Sequence, residues 1–104
     1  MQIIKSIYMS IHLTALVKSK PGTAESMKPL LAELVKGSLK EEACQQYELY
    51  HSVEDENLFI FHETWKDESG LDAHNHGPNI TQFIKDSSAI LDGSIIIYKT
   101  EKVS

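Results

Sequence analysis

Apolar and polar positions change period several times along the chain, and each change marks an element. Residues 11–18 (IHLTALVK) are apolar and rich in β-branched side chains, and Lys20-Pro21-Gly22-Thr23 follows, which predicts a strand closed by a turn. Met27, Leu30, Leu31, Leu34, Val35 and Ser38 then recur at i, i+3 and i+4, the buried face of a helix. Thr23 stands where it can cap that helix, and Glu25 falls in the first turn, where the helix dipole favours an acid. Pro29 interrupts the same stretch without a backbone donor and predicts a late start or a kink. Gly37 lies close to the helix end.

Strand alternation returns over residues 44–52 (CQQYELYHS). Residues 53–57 are a polar loop of hairpin length, and residues 58–65 (LFIFHETW) form the second arm. Pairing Ser52 with Leu58 sets Tyr47 opposite Glu63 and Glu48 opposite His62; a slip of one residue would exchange the two faces. In the stated register Phe59, Phe61, Glu63 and Trp65 share one face, and Leu58, Ile60, His62 and Thr64 the other. Asp67 or Ser69 begins a short helix holding Leu71 and His74. Gly77-Pro78 breaks it, and Pro78 suits the first turn of another helix, whose apolar face is Ile80, Phe83, Ile84 and Ile90 or Leu91. Asp92-Gly93 then turns the chain into a last strand over residues 94–101 (SIIIYKTE).

The order β-α-β-β-α-β predicts an α+β, ferredoxin-like fold: a four-stranded antiparallel sheet with helices on one face. The runs LFIF and IIIY are apolar at consecutive positions, so both sheet faces call for cover. Two helices reach only one face. A second copy of the chain, packed sheet to sheet, is the simplest cover for the other, and a homodimer is expected. Residues 1–8 precede the strand pattern and read as an N-terminal extension, with residues 9–104 as the domain.

Composition narrows the partners. At 104 residues, 41% hydrophobic and 24% charged, the chain is one globular domain. Its net charge is −5 and it contains no arginine, which argues against a nucleic-acid partner. No apolar run approaches the ~20 residues of a membrane helix, and no membrane association is expected. The first residues lack a small-x-small cleavage site, so they do not read as a signal peptide. The one cysteine, Cys44, has no internal partner, reads as a small buried apolar residue, and points to a cytoplasmic setting.

Candidate chemistry gathers between Asn57 and Phe83, which holds the only tryptophan and three of the five histidines. Glu63, with Tyr47 opposite and Trp65 beside it, is either an acid/base group with a raised pKa or a hydrogen-bonded carboxylate that fixes packing. Trp65 is a packing residue that can also touch a ligand. His74, on or beside the buried helix face, is a base or donor candidate, or a helix-end histidine satisfied by backbone. His76, by the Gly-Pro turn, reads as solvent-exposed. Spacing of two between His74 and His76, without a cysteine pattern, argues against a metal site. GxGxxG, phosphate-loop and GxSxG motifs are all missing, so no dinucleotide cofactor is expected.

The segments KPG–T (Lys20 to Thr23), C–YELY–S (Cys44 to Ser52), F–ETW (Phe61 to Trp65), LDAH (Leu71 to His74) and PNITQF (Pro78 to Phe83), in this order, resemble the antibiotic biosynthesis monooxygenase (ABM) domain family over about residues 9–102. The resemblance implies a dimeric α/β-barrel of ferredoxin-like protomers. It implies oxidation of quinols or anthrones by dioxygen without flavin or metal, in a cleft between sheet and helices. Trp65 matches the family's pocket tryptophan, and Glu63 and His74 match recurrent polar positions. The haem-degrading branch carries an asparagine and a ligating histidine near Ala15 and Ile84 of this chain, and both groups are missing. The arginine of some polyketide-oxidising members is missing too. A branch that isomerises a phosphorylated autoinducer-2 derivative shares a first-strand histidine, His12.

The leading expectation is therefore a cofactor-independent, quinol-type monooxygenase. Its catalytic candidates are Glu63, His74 and His12, and its substrate contacts are Trp65, Tyr47, Phe61 and Phe83. The alternatives are an isomerase of a small, phosphorylated carbonyl compound, or a non-catalytic small-molecule-binding stress module.

Overall fold

The structure, a computed structural model, describes residues 10–104; the expected extension over residues 1–8 lies outside the described residues. Strand β1 (Ile11–Lys18) leads into α1 (Ala24–Ser38), and β2 (Cys44–His51) and β3 (Leu58–Trp65) form a hairpin. Two helices, α2 (Glu68–Asn75) and α3 (Pro78–Ser87), then carry the chain to β4 (Ile96–Thr100). The sheet is antiparallel throughout, in the order β2-β3-β1-β4. This is the ferredoxin-like arrangement that the sequence predicts.

Register decides which side chains meet the helices. Tyr47 pairs with Glu63 and Glu48 with His62, as the hairpin pattern requires. Leu13 pairs with Glu63, Ala15 with Phe61 and Val17 with Phe59, so these positions share the inner face. Leu13, Ala15, Val17, Phe59, Phe61 and Trp65 form the sheet side of the core against Met27, Leu31 and Leu34 of α1, Leu71 of α2 and Phe83 of α3. Each of these side chains is nearly fully buried, and burying a large apolar side chain is worth about 1.5–3 kcal/mol.

Several local expectations change. Helix α1 starts at Ala24 and runs through Pro29 as one helix. Pro29 and Glu25, four residues earlier, are both exposed, so water can satisfy the carbonyl that Pro29 leaves free. Thr23 occupies the N-cap position but makes no side-chain cap bond; its hydroxyl donates to the Lys20 carbonyl at 2.6 Å. Leu30 and Val35 are only partly buried. Cys44 is half-buried rather than fully enclosed. Ile90 and Leu91 lie beyond the end of α3: Ile90 accepts a bond from the Lys20 amide at 2.8 Å, and Leu91 bridges to Ser19. Gly93, at φ +76°, takes the left-handed turn before β4, which is shorter than its apolar run suggests.

Helix α2 begins where the chain offers a good cap. The Asp67 carboxylate accepts from the Gly70 amide at 2.8 Å. Gly70 is itself required there, since any Cβ would strike that of Ala43. The docking of α2 against the entrance of β2 carries His74 inward.

Candidate active site

A cavity of about 270 Å³ opens between the inner sheet face and the helices. Its size follows from the sequence of β1: Ala15 is small where its neighbours along the inner face, Leu13 and Val17, are large. Phe61, Ile95 and Ile97 extend that floor, while Leu34, Ile80, Phe83 and Ile84 form the helical wall. Tyr47, Glu63, His74 and Asn75 supply the polar part of the lining. Among the described residues no lysine lines the cavity.

The polar end is built on rings in contact. Trp65 and His74 are tilted, with centroids 4.4 Å apart; Tyr47 meets His74 edge-on at 5.6 Å and lies tilted against Phe61 at 5.1 Å. Trp65 Nε1 donates to Glu63 Oε1 at 2.9 Å, within buried surroundings. Burial pushes the Glu63 carboxyl above the usual carboxylate range, opposed by the Trp65 bond and the nearby His74. Burial, and then the negative Glu63, push the Tyr47 phenol up strongly, so it holds its proton and remains a donor.

His74 is 3% exposed. Its Nδ1 lies 3.0 and 3.1 Å from the two oxygens of Glu41, and Asn79 Nδ2 donates to Glu41 Oε2 at 2.8 Å. Among the described residues no hydrogen bond reaches Nε2, the nitrogen left for a molecule in the cavity. The arrangement can therefore take a proton at one point and donate one nearby, against an otherwise apolar wall.

The structure brings Tyr47, Phe61, Glu63, His74 and Phe83 together at the cavity. Trp65 is not part of its wall: fully buried, it stands behind Glu63 and His74 and holds both. The reason is alternation along β3 combined with α2, which closes over the last inner position. His12 is on the opposite sheet face, with Nδ1 3.1 Å from Thr64 Oγ1, which in turn donates to Gln46 Oε1. It cannot reach the cavity. His62 shares that outer face and packs edge-on against Tyr50. His76 is exposed beside Asp72, and among the described residues no group of three or more metal-ligating side chains converges.

Glu41, Asn75 and Asn79 are the residues that sequence reasoning missed. Glu41 follows the end of α1 in the run Lys40-Glu41-Glu42, and nothing in that run separates it from Glu42, which faces solvent. Asn79 had a faint signal: it follows the Pro78 that starts α3, so its direction was set once the helix was.

Comparison with known proteins agrees with this fold. The family described as "Antibiotic biosynthesis monooxygenase" matches residues 10–86. YcnE of Bacillus subtilis (strain 168), provisionally named a monooxygenase, is 33% identical over 91 residues, covering 88% of this chain and 96% of YcnE. The crystal structure of PA3566 from Pseudomonas aeruginosa superposes with a TM-score of 0.84 at 28% identity, over 91% of this chain and 95% of that one. A crystal structure of an antibiotic biosynthesis monooxygenase superposes at 0.83 with 26% identity, over 90% and 99%.

Proposed function

The chain belongs to the antibiotic biosynthesis monooxygenase family, and on that premise we propose that it oxidises a small quinol-like aromatic with dioxygen, without a bound cofactor. The observation that carries the proposal is the cavity itself: apolar walls, one polar end with an imidazole nitrogen that no described residue bonds, and no lysine among the described lining residues. Its volume of about 270 Å³ compares with the roughly 150 Å³ that suffices for benzene, so one or two rings fit.

In this reading His74 Nε2 takes the proton of a substrate hydroxyl, and the resulting phenolate passes electrons to dioxygen. One oxygen atom enters the ring and the other leaves as water, so that a quinol becomes a hydroxyquinone. Tyr47 donates to developing negative charge, and the apolar wall excludes water from the reacting centre. Glu63, whose carboxyl burial favours in its neutral form, is a second proton carrier. Phe61 and Phe83 hold the ring, and Trp65 supports Glu63 and His74 from behind. An isomerase acting on a phosphorylated substrate draws less support, because no lysine among the described residues lines the cavity and His12 faces away from it.

Oxygen uptake with a panel of benzo- and naphthoquinols tests the proposal. His74→Ala is expected to lose about 10²-fold or more of the rate. A wild type that consumes no more oxygen than His74→Ala would rule the monooxygenase out. Melting shifts with quinols but no turnover would favour a binding module instead, and isomerisation without oxygen uptake the carbonyl chemistry.

We also propose a homodimer in the cytoplasm. Among the described residues nothing covers the outer sheet face, where Tyr50, Ile96 and Tyr98 are each about half exposed, and Ile97 is equally open at the cavity floor. The unpaired Cys44 fits a reducing compartment. Light scattering at micromolar concentration should return twice the mass of one chain; the mass of a single chain would refute the dimer.

A further inference from the structure

His74 can accept a proton at Nε2 only if its own proton sits on Nδ1. A neutral imidazole carries that proton on either nitrogen, and the ring alone does not choose. Glu41 makes the choice. Its oxygens lie 3.0 and 3.1 Å from Nδ1, and a carboxylate only accepts. Glu41 is held in turn by Asn79, whose Nδ2 donates to Oε2 at 2.8 Å. Asn79 reaches that carboxylate across Gly37 of α1, where any Cβ would collide with the Asn79 amide oxygen. Three parts of the chain thus converge: the segment after α1 brings the carboxylate, α2 the imidazole and α3 the amide.

We propose that Glu41 is a positioning residue, which fixes His74 as the Nδ1–H tautomer and aims Nε2 into the cavity, with Asn79 and Gly37 setting the carboxylate. The kinetic consequence rests on the role of His74 proposed above; the tautomer does not. Among the described residues, the rings of Trp65 and Tyr47 pack against the imidazole, and the Glu63 carboxyl lies close enough to feel its charge. Glu63 accepts from Trp65 and makes no hydrogen bond to His74, so it offers Nδ1 no competing partner.

Glu41→Gln keeps the shape of the side chain but presents an amide N–H₂, which can donate to Nδ1 and drive the proton to Nε2. Long-range ¹H–¹⁵N spectra of the ¹⁵N-histidine-labelled full chain read the tautomer directly. His74 is assigned by its loss in His74→Ala, at about pH 8.5, where imidazole is ordinarily neutral. Wild type is expected as Nδ1–H and Glu41→Gln as Nε2–H. Glu41→Asp, which keeps an acceptor, should return the Nδ1–H form. In quinol-dependent oxygen uptake, kcat should fall about 10²-fold in Glu41→Gln, with KM changed less than about threefold and part of the loss recovered in Glu41→Asp. A wild type in the Nε2–H form, the same tautomer in wild type and Glu41→Gln, or an unchanged kcat would each overturn the proposal. The wild-type spectrum decides even if Glu41→Gln does not fold. If wild type oxidises no quinol, the function proposed above fails, and the tautomers still decide the role of Glu41.

Discussion

Replacing Trp65 by phenylalanine separates what the indole does as bulk from what it does as a donor. Trp65 is fully buried and its Nε1 donates to Glu63 Oε1 at 2.9 Å. Phenylalanine keeps a ring against His74 but has no N–H. The lost volume should cost about 1–2 kcal/mol at every pH. The lost bond should cost roughly 0.5–1.5 kcal/mol more where Glu63 is neutral, since a protonated carboxyl still accepts, and roughly 1.5–3 kcal/mol more where it is ionised. The sign follows from the shifts. Burial raises the folded-state pKa of Glu63 and the Trp65 bond opposes that rise, so the variant's value lies higher still. Below both values the carboxyl is neutral in each protein, and the packing loss and a weaker, neutral hydrogen bond separate them. As pH rises through the wild-type value, wild type ionises with its bond intact, while the variant keeps a proton or buries an unpaired charge. The difference then grows and levels off above the variant's value. We expect a loss of about 1.5–3.5 kcal/mol near pH 4, growing toward roughly 2.5–5 kcal/mol as the pH is raised to about 9. At about 4–8 °C per kcal/mol for a domain this size, the alkaline excess of about 1–1.5 kcal/mol should be ~4–12 °C in Tm. Urea unfolding followed by far-UV circular dichroism measures it, because Trp65 is the only tryptophan and its fluorescence goes with it. A stability loss that stays flat between these pH values would refute the account of Glu63 and Trp65 as a coupled pair.

Two further substitutions test the groups around that pair. Glu63→Gln removes a carboxyl whose folded-state pKa is raised. Wild-type stability from this group is full below its unfolded value and falls as pH climbs through the folded one, so the variant's stability relative to wild type should increase over that rise. Urea titrations across the acid range check it, and a relative stability that decreases with pH would contradict the burial argument. Gly37→Ala should push the Asn79 side chain off Glu41. A gain in helix propensity of about 1 kcal/mol offsets a lost hydrogen bond of similar size, so Tm should move by only a few degrees while kcat falls about tenfold. An unchanged kcat would show that the Asn79 contact does not matter.

Much of the fold was legible because period and turn chemistry are local. The strands at Ile11–Lys18 and Leu58–Trp65 stand where the pattern predicts them, and the hairpin register followed from one polar loop. That register in turn places Tyr47, Phe61 and Glu63 as neighbours on one face. Pro29 misled because its local effect, a missing donor, is cheap on a solvent-facing turn. Exposure is a property of packing, not of the residue.

The amino-acid sequence by itself determined the element order, the apolar inner faces and the small residue, Ala15, that leaves room for a cavity. It also brought Glu63 and Trp65 two positions apart on one strand, which made their hydrogen bond a matter of alternation. Only the tertiary structure decided which imidazole faces the cavity, because His12 and His74 belong to opposite sides of the sheet and no local pattern ties a helix to one face. It likewise paired His74 with Glu41, 33 residues away, and Glu41 with Asn79, 38 residues away. Contacts of that span exist only after α1, α2 and α3 have packed on one sheet face, and no sequence period encodes them.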